Sequence, residues 1–302
     1  MKKISDPISF FGSGPVAAKS LLKLSKDFNI EAVFTKPRPP HHQQSMPVID
    51  VANQLTIKTY TPKNKLELEN LFNNISLKSQ VGIVIDYGII IPDSVINYFP
   101  NGIINSHFSL LPKYKGPDPI SFAILNGDQQ TGVSLMKIVA NLDEGPLIAQ
   151  TSIKLTDQIT GPELTEMLID LSHKSLKQYL PKYLLGQIKP YPQKTDNADM
   201  TRKLVKDDGI LNFNLPAIEL ERQIRAFTQW PKSRTLLANQ EIIVTKAHVI
   251  QGKAKPGSLY IKGKHEIGFF TKKDILVLDK IKPIGRVEMS ASAFLAGYKF
   301  NI

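Results

Sequence analysis

Residues 101–120, NGIINSHFSLLPKYKGPDPI, join the pattern of a buried strand to that of a polar loop. The apolar run Gly102 to Ile104 leads into Asn105-Ser106-His107, followed by a Ser-Leu-Leu-Pro turn and a basic loop rich in glycine and proline. A strand that ends in this way delivers an amide and an imidazole to the carboxyl edge of a sheet, where open α/β sheets place their active sites. The stretch therefore predicts an α/β fold and a catalytic loop.

The segments on either side alternate between strand and helix patterns. Short buried strands are predicted at 6–11 and 30–34, with an apolar helix between them at 16–24. The β-branched run at 80–91 is typical of a central parallel strand that is buried on both faces. Strand–helix–strand units of this kind predict a mostly parallel, Rossmann-like sheet.

The first glycine turn allows two interpretations. Gly12, Gly14 and Ala17 fit the G-x-G-x-x-A spacing of dinucleotide-binding proteins. That interpretation requires an acidic residue near the end of the next strand, where this chain has Thr35-Lys36. The pattern therefore favours a tight turn that lets the first helix pack closely on the sheet.

Composition limits the class of protein. A length of 302 residues is enough for two domains, and 42% hydrophobic and 22% charged residues are ordinary for a globular protein. No apolar run approaches the roughly 18 residues needed to cross a membrane, and the first apolar segment is too short for a signal peptide. The chain has no cysteine, which excludes disulfides and thiolate metal sites. We therefore expect a cytoplasmic enzyme with no membrane partner.

The charge is concentrated in the last third of the chain. Residues 201–302 contain 18 Lys+Arg and 9 Asp+Glu, a net charge of +9, whereas residues 1–200 carry only +2. A basic segment on a nearly neutral body indicates a polyanionic partner such as nucleic acid. The same segment has short strands at 241–249, 257–262, 266–270 and 275–279, which suit a small β-barrel. The proline-rich stretch that starts at Pro190 predicts a linker at 190–204 between domains at 1–189 and 205–302.

Three side chains form the candidate catalytic group. Asn105 and His107 are two residues apart, so they project from the same face of an extended strand. Asp143 follows another predicted strand, in a turn that is able to approach them. An amide, an imidazole and a carboxylate suit the transfer of an acyl group to an amine: Asn105 and His107 stabilise the oxyanion. Asp143 orients His107 or receives the proton of the amine.

Each residue also has a plainer explanation. A single Asn or Asp in a turn is usually a cap, and a single His is usually structural. Asp86, near the end of the predicted strand at 80–91, either lines a site or caps a neighbouring loop, because a carboxylate buried without a partner is unfavourable.

The motifs around these residues resemble a known family. His107-Phe108-Ser109-Leu110-Leu111-Pro112 resembles the H-x-S-L-L-P signature of the formyltransferases that depend on 10-formyltetrahydrofolate. The downstream run TGVSLMKIVANLDEGP, residues 131–146, is similar to that family's second motif, in which Asp143 takes the place of the catalytic acid. The resemblance also covers residues 203–209, 217–222, 224–227, 255–257, 281–289 and 294–297, so it runs over nearly the whole chain.

The resemblance implies a fold, substrates and site residues. It implies a Rossmann-like formyltransferase domain followed by an OB-like β-barrel that contacts tRNA. The catalytic triad would be Asn105, His107 and Asp143. The formyl donor 10-formyltetrahydrofolate would be bound by Ser109, Leu110, Leu111, Pro112, Asp86, Tyr87 and Gly88. The acceptor would be the α-amine of methionyl initiator tRNA. The folate product would be tetrahydrofolate, and the resemblance implies no metal. We expect a monomer.

The loop after the second strand departs from the family pattern. In the family, this loop usually carries an aspartate and several glycine, arginine and lysine residues. This chain has the shorter, less basic PRPPHHQQSMP in its place. Since the family's loop reaches the acceptor end of the tRNA, the candidates for that contact are Lys36, Arg38, His41 and His42. Two alternatives stay open: a formyltransferase for a small amine such as a sugar nucleotide or glycinamide ribotide, and a non-catalytic RNA-binding protein of the same fold.

Overall fold

The computed structural model describes residues 4–38, 46–194, 198–237, 239–263 and 265–297. The chain divides into two compact units, the first formed by Met1–Gly116, Thr131–Ile153 and Thr165–Met200. The second is formed by Pro117–Gln130, Lys154–Leu164 and Thr201–Ile302. Two short segments from within the predicted catalytic domain, 117–130 and 154–164, thus group with the C-terminal residues. The domain limits at 1–189 and 205–302 stay a prediction.

The first unit is built on a seven-stranded sheet. Its strands are β1 (Ile4–Gly12), β2 (Phe28–Phe34), β3 (Lys58–Tyr60), β4 (Val81–Ile85), β5 (Ile103–His107), β6 (Gln130–Lys137) and β7 (Leu147–Lys154). Their order across the sheet is β3-β2-β1-β4-β5-β6-β7. The pairs from β3 to β5 are parallel and the β5–β6 pair is antiparallel. The predicted mostly parallel, Rossmann-like sheet is confirmed.

Helices follow most of these strands. They are α1 (Gly14–Leu24), α2 (Pro47–Gln54), α3 (Lys65–Phe72), α4 (Asp93–Tyr98), α5 (Pro119–Leu125) and α6 (Gly161–Leu184). A Cβ atom at Gly12 would lie 2.6 Å from the Cβ of Ala17 and 2.8 Å from the carbonyl oxygen of Ile85. Glycine at this position therefore lets α1 pack closely on the sheet, as the second interpretation of the glycine turn requires.

The strand predicted at 80–91 is shorter than expected. β4 ends at Ile85, because Asp86 has a φ of 52° and turns the chain out of the sheet. The backbone oxygen of Asp86 accepts a hydrogen bond from the amide of Ser13 at 2.7 Å, which fixes the exit from β4 beside the first glycine turn. Asp86 therefore lies at the end of the strand and its side chain is exposed.

An aromatic cluster fills one side of this sheet. Phe11 stacks on Phe34 with ring centroids 4.5 Å apart, and Phe34 stacks on Phe72 at 5.0 Å. Phe99 meets Phe11 edge to face at 6.1 Å. Burying each such ring contributes about 1.5–3 kcal/mol, so the cluster anchors β1, β2, α3 and the chain before β5 to one another.

The second unit carries an antiparallel sheet. Its strands are β8 (Arg234–Leu237), β9 (Gln240–Ile250), β10 (Leu259–Lys262), β11 (Glu266–Phe270), β12 (Ile275–Pro283) and β13 (Met289–Ser290). Their order is β10-β11-β12-β9-β8, and β13 pairs with β12. The unit also contains a 3-10 turn (Lys206–Gly209), α7 (Ala217–Ala226) and α8 (Ala291–Gly297), and α5 groups with it. The sheet confirms the small OB-like β domain expected from the sequence.

The core of the second unit is apolar. Leu220 and Ile224 of α7 pack with Ile242, Ile267 and Phe294, all at most 3% exposed. The spacing of Leu220 and Ile224 is that of one helical face, which is why α7 buries this side against the sheet.

Across the described part of the chain, no helix combines the length and the apolar character needed to cross a membrane.

Candidate active site

Three predicted residues meet at the end of β5. Asn105 and His107 point to one face of the strand, and Ser106 points to the other, where its hydroxyl lies 2.7 Å from that of Ser172 in α6. Asp143, in the loop between β6 and β7, approaches the first face. Its Oδ1 accepts a hydrogen bond from Asn105 Nδ2 at 3.3 Å, and its Oδ2 lies 3.7 Å from His107 Nδ1.

The hydrogen-bond partner of His107 defines its orientation. Nε2 lies 2.8 Å from the backbone oxygen of Tyr114. Because a carbonyl oxygen only accepts, Nε2 carries a hydrogen and Nδ1 is the nitrogen that faces Asp143. The side chains of His107 and Asp143 are each 8% exposed, so they interact largely out of water. Charges in such a setting interact more strongly than on a surface.

The loop that carries Asp143 is held in a particular shape. Asp143 has a φ of 52°, a conformation rare for residues other than glycine. Its Oδ2 accepts a hydrogen bond from the amide of Gly116 at 2.8 Å, which ties it to the basic loop after β5. A Cβ atom at Gly145 would lie 1.7 Å from the backbone oxygen of Lys137. The close approach that places Asp143 therefore needs glycine two residues further on.

A charge pair lies beside the candidate catalytic group. The ammonium group of Lys115, 10% exposed, lies 3.2 Å from Oε1 of Glu144. Hydrogen bonds from Lys115 and then from Asn141 hold the pKa of Glu144 below its usual range. Glu144 is thus a paired anion next to Asp143, and it links the same two loops that the Gly116–Asp143 hydrogen bond joins.

The Ser-Leu-Leu-Pro turn is held by residues of β6 and β7. Ser134 Oγ donates to the backbone oxygen of Ser109 at 2.6 Å and accepts from the amide of Leu111 at 3.0 Å. Gln150 Nε2 donates to Ser134 Oγ at 2.9 Å and to the backbone oxygen of Leu111 at 2.8 Å. This network fixes the turn that follows β5.

The turn residues predicted to bind folate have partners within the protein. Ser109 is fully buried and its hydroxyl donates to the backbone oxygen of Lys113 at 2.6 Å. Leu111 belongs to an apolar cluster, Leu110 lies against Gly132, and Pro112 is half-buried. These contacts explain the rigidity of the turn, and folate binding by the four residues stays a prediction.

The three residues after β4 lie at the carboxyl edge of the sheet. Asp86 Oδ2 lies 3.4 Å from the position of a Cβ atom at Gly14, so the carboxylate faces the start of α1. The ring of Tyr87 packs edge to face on Phe11 at 5.6 Å. The Tyr87 hydroxyl is buried with no hydrogen-bond partner among the described groups, and burial raises its pKa. Gly88 is exposed.

Of the four residues predicted to contact tRNA, two are described. Lys36 and Arg38 are exposed, and the Lys36 ammonium group lies 2.4 Å from the position that a Cβ atom of Gly88 would take. Lys36 therefore covers the backbone of the predicted folate wall. His41 and His42 lie outside the described residues.

A cavity of about 490 Å³ opens beside α4. It is lined by α4, by the start of β5 and by the chain that leads to Asp143, including Val139 and Ala140. None of the seven residues predicted for folate lines it, so the cavity gives that prediction no support. Within the described ranges, no group of three or more His, Asp or Glu side chains is placed to hold a metal ion.

Three supporting residues were missed from the sequence. The sequence around Ser134 indicated a structural role, since a serine inside the apolar run of β6 needs a buried hydrogen-bond partner. No sequence pattern indicated a role for Gln150 or Gln193. Gln193 lies in the predicted linker, and its Nε2 donates to the backbone oxygens of Asp143 and Gly145 at 2.8 Å each.

Comparison with known proteins decides the family. Residues 8–180 match the formyl transferase family and residues 203–299 match the formyl transferase C-terminal domain family. The methionyl-tRNA formyltransferase of Myxococcus xanthus (strain DK1622) is 33% identical over 97% of this chain and 95% of its own length. That of Chloroflexus aurantiacus (strain ATCC 29366 / DSM 635 / J-10-fl) is 35% identical over 96% of both chains. This chain belongs to the methionyl-tRNA formyltransferase family.

Solved structures share the fold of this formyltransferase at lower identity. The N-formyltransferase of Helicobacter canadensis, in complex with folinic acid and dTDP-3-aminofucose, has a TM-score of 0.68 at 18% identity and covers 90% of this chain and 97% of its own. Phosphoribosylglycinamide formyltransferase of Bacillus halodurans has a TM-score of 0.51 at 20% identity and covers 59% of this chain and 95% of its own. The first likeness extends over both units of the formyltransferase described here.

Proposed function

We propose that this protein transfers the formyl group of 10-formyltetrahydrofolate to the α-amine of methionyl initiator tRNA. The observation that carries the proposal is the identity of 33–35% to methionyl-tRNA formyltransferases along 96–97% of the chain. That match includes the C-terminal unit. A fold likeness to enzymes for small amines, at 18–20% identity, gives no comparable reason to choose those acceptors.

The proposal assigns the steps of the chemistry to the three polar residues. The acceptor amine attacks the formyl carbon, a C–N bond forms, and negative charge develops on the formyl oxygen. Asn105 and, through a protonated Nδ1, His107 stabilise this oxyanion, a type of contact worth about 2.7–4 kcal/mol per donor in favourable cases. Asp143 takes up the proton of the attacking amine, directly or through water. The bond to the folate nitrogen then breaks and that nitrogen receives a proton.

Basic side chains on the second unit support a tRNA acceptor. Lys246 of β9 and Lys280 of β12 are partners across the two strands, and both are exposed. Like charges placed opposite each other destabilise a sheet, and binding of a polyanion relieves this repulsion. Lys280 also lies 3.6 Å from Glu288, which offsets part of its charge, so Lys246 is the stronger candidate of the two for a phosphate contact.

The folate and tRNA contacts predicted from the sequence are part of the proposal. Ser109 to Pro112 and Asp86 to Gly88 are the proposed folate residues, and Lys36 and Arg38 the proposed tRNA residues of the first unit. A cytoplasmic location and a monomeric state are also proposed, on sequence grounds alone.

The test is a panel of acceptors offered to the full-length protein with 10-formyltetrahydrofolate. Methionyl initiator tRNA, an amino-sugar nucleotide and glycinamide ribotide are compared at equal concentrations, each with Asp143→Asn in parallel. Transfer to the tRNA alone, abolished in the variant, is the expected result. Transfer only to a small amine would show that the acceptor is that amine and not the tRNA. Binding of tRNA with no transfer to any acceptor would favour a non-catalytic protein.

A further inference from the structure

The chain after α6 returns to the sheet beside the loop that carries Asp143. Tyr191 and Leu147 exchange backbone hydrogen bonds of 2.9 and 2.7 Å, which attach residue 191 to the start of β7. This attachment lies only a few residues after Asp143. It brings Gln193 over the loop between β6 and β7, although the sequence predicted that Gln193 belongs to a linker.

Gln193 is bonded to the backbone on both sides of Glu144. Its Nε2 donates to the carbonyl oxygens of Asp143 and Gly145, at 2.8 Å in each case. Since both carbonyls only accept, the NH2 group must lie between them and the orientation of the amide is determined. The side chain therefore holds the peptide groups that follow Asp143 and Gly145.

Packing alone does not account for a glutamine at this position. Its other polar atom, Oε1, is buried and receives no hydrogen bond from any group in the described ranges. A buried acceptor without a donor is unfavourable, so an apolar side chain of equal length would fit with less penalty. The contacts of Nε2 are what distinguish glutamine from such a residue.

The loop between β6 and β7 needs support from outside itself. Asp143 has a left-handed backbone, which persists only where surrounding contacts fix it. Its carboxylate is held by the amide of Gly116 and by Asn105. These contacts hold the end of the side chain, and Gln193 holds the backbone.

We propose that Gln193 is a positioning residue, which keeps Asp143 in place for proton transfer during formylation. This inference rests on the function proposed above. Gln193 does not touch the reacting atoms, so its loss should affect the chemical step more than substrate binding. A small misplacement of a catalytic group lowers the rate by up to about 100-fold.

The first variant is Gln193→Met, which keeps the length of the side chain and removes both donors. We expect kcat for formyl transfer to fall about tenfold or more, with the KM of each substrate changed less than about threefold. The matched control is Tyr183→Phe, which removes a hydrogen bond of 2.9 Å to the backbone oxygen of Asn101 in the same unit. Its kcat should stay within about twofold of the wild type.

A second variant, Gln193→Glu, adds a pH readout, with the folded fraction measured by circular dichroism at each pH to separate loop displacement from unfolding. An ionised carboxylate repels the two carbonyls, whereas the protonated acid donates one hydrogen bond. The kcat of Gln193→Glu relative to the wild type should therefore rise as the pH is lowered from about 8 toward 5.5, closer to the ordinary glutamate pKa of about 4.3. The corresponding ratio for Gln193→Met should stay flat.

Hydrogen exchange separates failure of this inference from failure of the proposed function. If the wild type formylates no acceptor, the proposed function is wrong, but amide exchange over residues 141–147 still tests the loop. Faster exchange there in Gln193→Met, with the rest of the first unit unchanged, supports the positioning role. Unchanged exchange, or kcat of Gln193→Met within about twofold of an active wild type, overturns it.

Discussion

Asn105 Nδ2 donates to Asp143 Oδ1 at 3.3 Å, while the other carboxylate oxygen accepts from the amide of Gly116 at 2.8 Å. The carboxylate is therefore fixed by one contact to β5 and another to the loop that follows β5. Its orientation toward His107 results from both. Changes at each of these positions should have distinct effects on rate and on stability.

Replacing Asp143 with asparagine should abolish most activity. The amide keeps the size of the side chain but does not accept a proton, so kcat should fall about 100- to 10,000-fold. The matched control is Glu144→Gln, which neutralises the neighbouring carboxylate and removes its pairing with Lys115. Formyl transfer under saturating substrates measures both. Equal losses in the two variants would contradict a specific role for Asp143.

Asn105→Ala should lower the rate through loss of an oxyanion donor. We expect kcat to fall about 100- to 1,000-fold, as for other donors to a developing oxyanion. Ser106→Ala is the control, since Ser106 is the next residue of β5 and its hydroxyl faces Ser172 on the opposite side. That change should reduce stability with little effect on kcat. A larger loss of kcat in Ser106→Ala than in Asn105→Ala would contradict the oxyanion role of Asn105.

Ser134→Ala should destabilise the turn after the catalytic strand. The Ser134 hydroxyl forms hydrogen bonds with the Ser109 carbonyl, the Leu111 amide and the Gln150 side chain, all buried or half-buried. Leaving buried groups without a partner costs about 1–3 kcal/mol, to be measured by urea denaturation. Ser152→Ala, an exposed change on β7, should shift the free energy of unfolding by less than about 0.5 kcal/mol.

Gly145→Ala should displace the loop of Asp143. The added Cβ atom would meet the backbone oxygen of Lys137 at 1.7 Å, so the backbone must move. We expect kcat to fall up to about 100-fold, with a smaller change in the KM for folate. Gly297→Ala places its Cβ atom where no described atom lies within 4 Å. Normal activity in both variants would show that the loop tolerates the shift.

Acid should weaken the first unit through Glu31. Burial alone would raise the pKa of Glu31, but hydrogen bonds from the Lys78 and Ser79 amides and the Ser79 hydroxyl outweigh it and lower the pKa. A lowered folded-state pKa stabilises the fold above the ordinary glutamate value of about 4.3, and this is lost as the pH falls through the folded value.

The Glu31→Gln variant tests the acid prediction. It should be less stable than the wild type at neutral pH, and the difference should shrink as the pH falls below about 4.3. Urea denaturation at several pH values measures this difference. Glu219→Gln, an exposed change in α7, should show a small and constant difference. A constant difference for Glu31→Gln as well would count against the assignment.

The sequence by itself determined the class of fold and the catalytic candidates. The spacing of Asn105 and His107 placed both on one face of a strand because side chains in strands alternate, and β5 has this geometry. The β-branched run at 80–91 gave the right strand and the wrong end. Hydrophobicity does not reveal that the backbone of Asp86 turns into the left-handed region, because that choice depends on a contact with Ser13.

Only the tertiary structure decided how the candidate catalytic group is held. Asp143 reaches His107 because the loop between β6 and β7 folds back over the sheet, and Gln193 from the predicted linker bonds to that loop. Segments 117–130 and 154–164 likewise join the second unit through contacts distant in sequence. Local patterns specify strands and helices, since these depend on neighbouring residues. Which loops meet depends on packing between residues far apart in the chain, and no periodicity in the sequence records that.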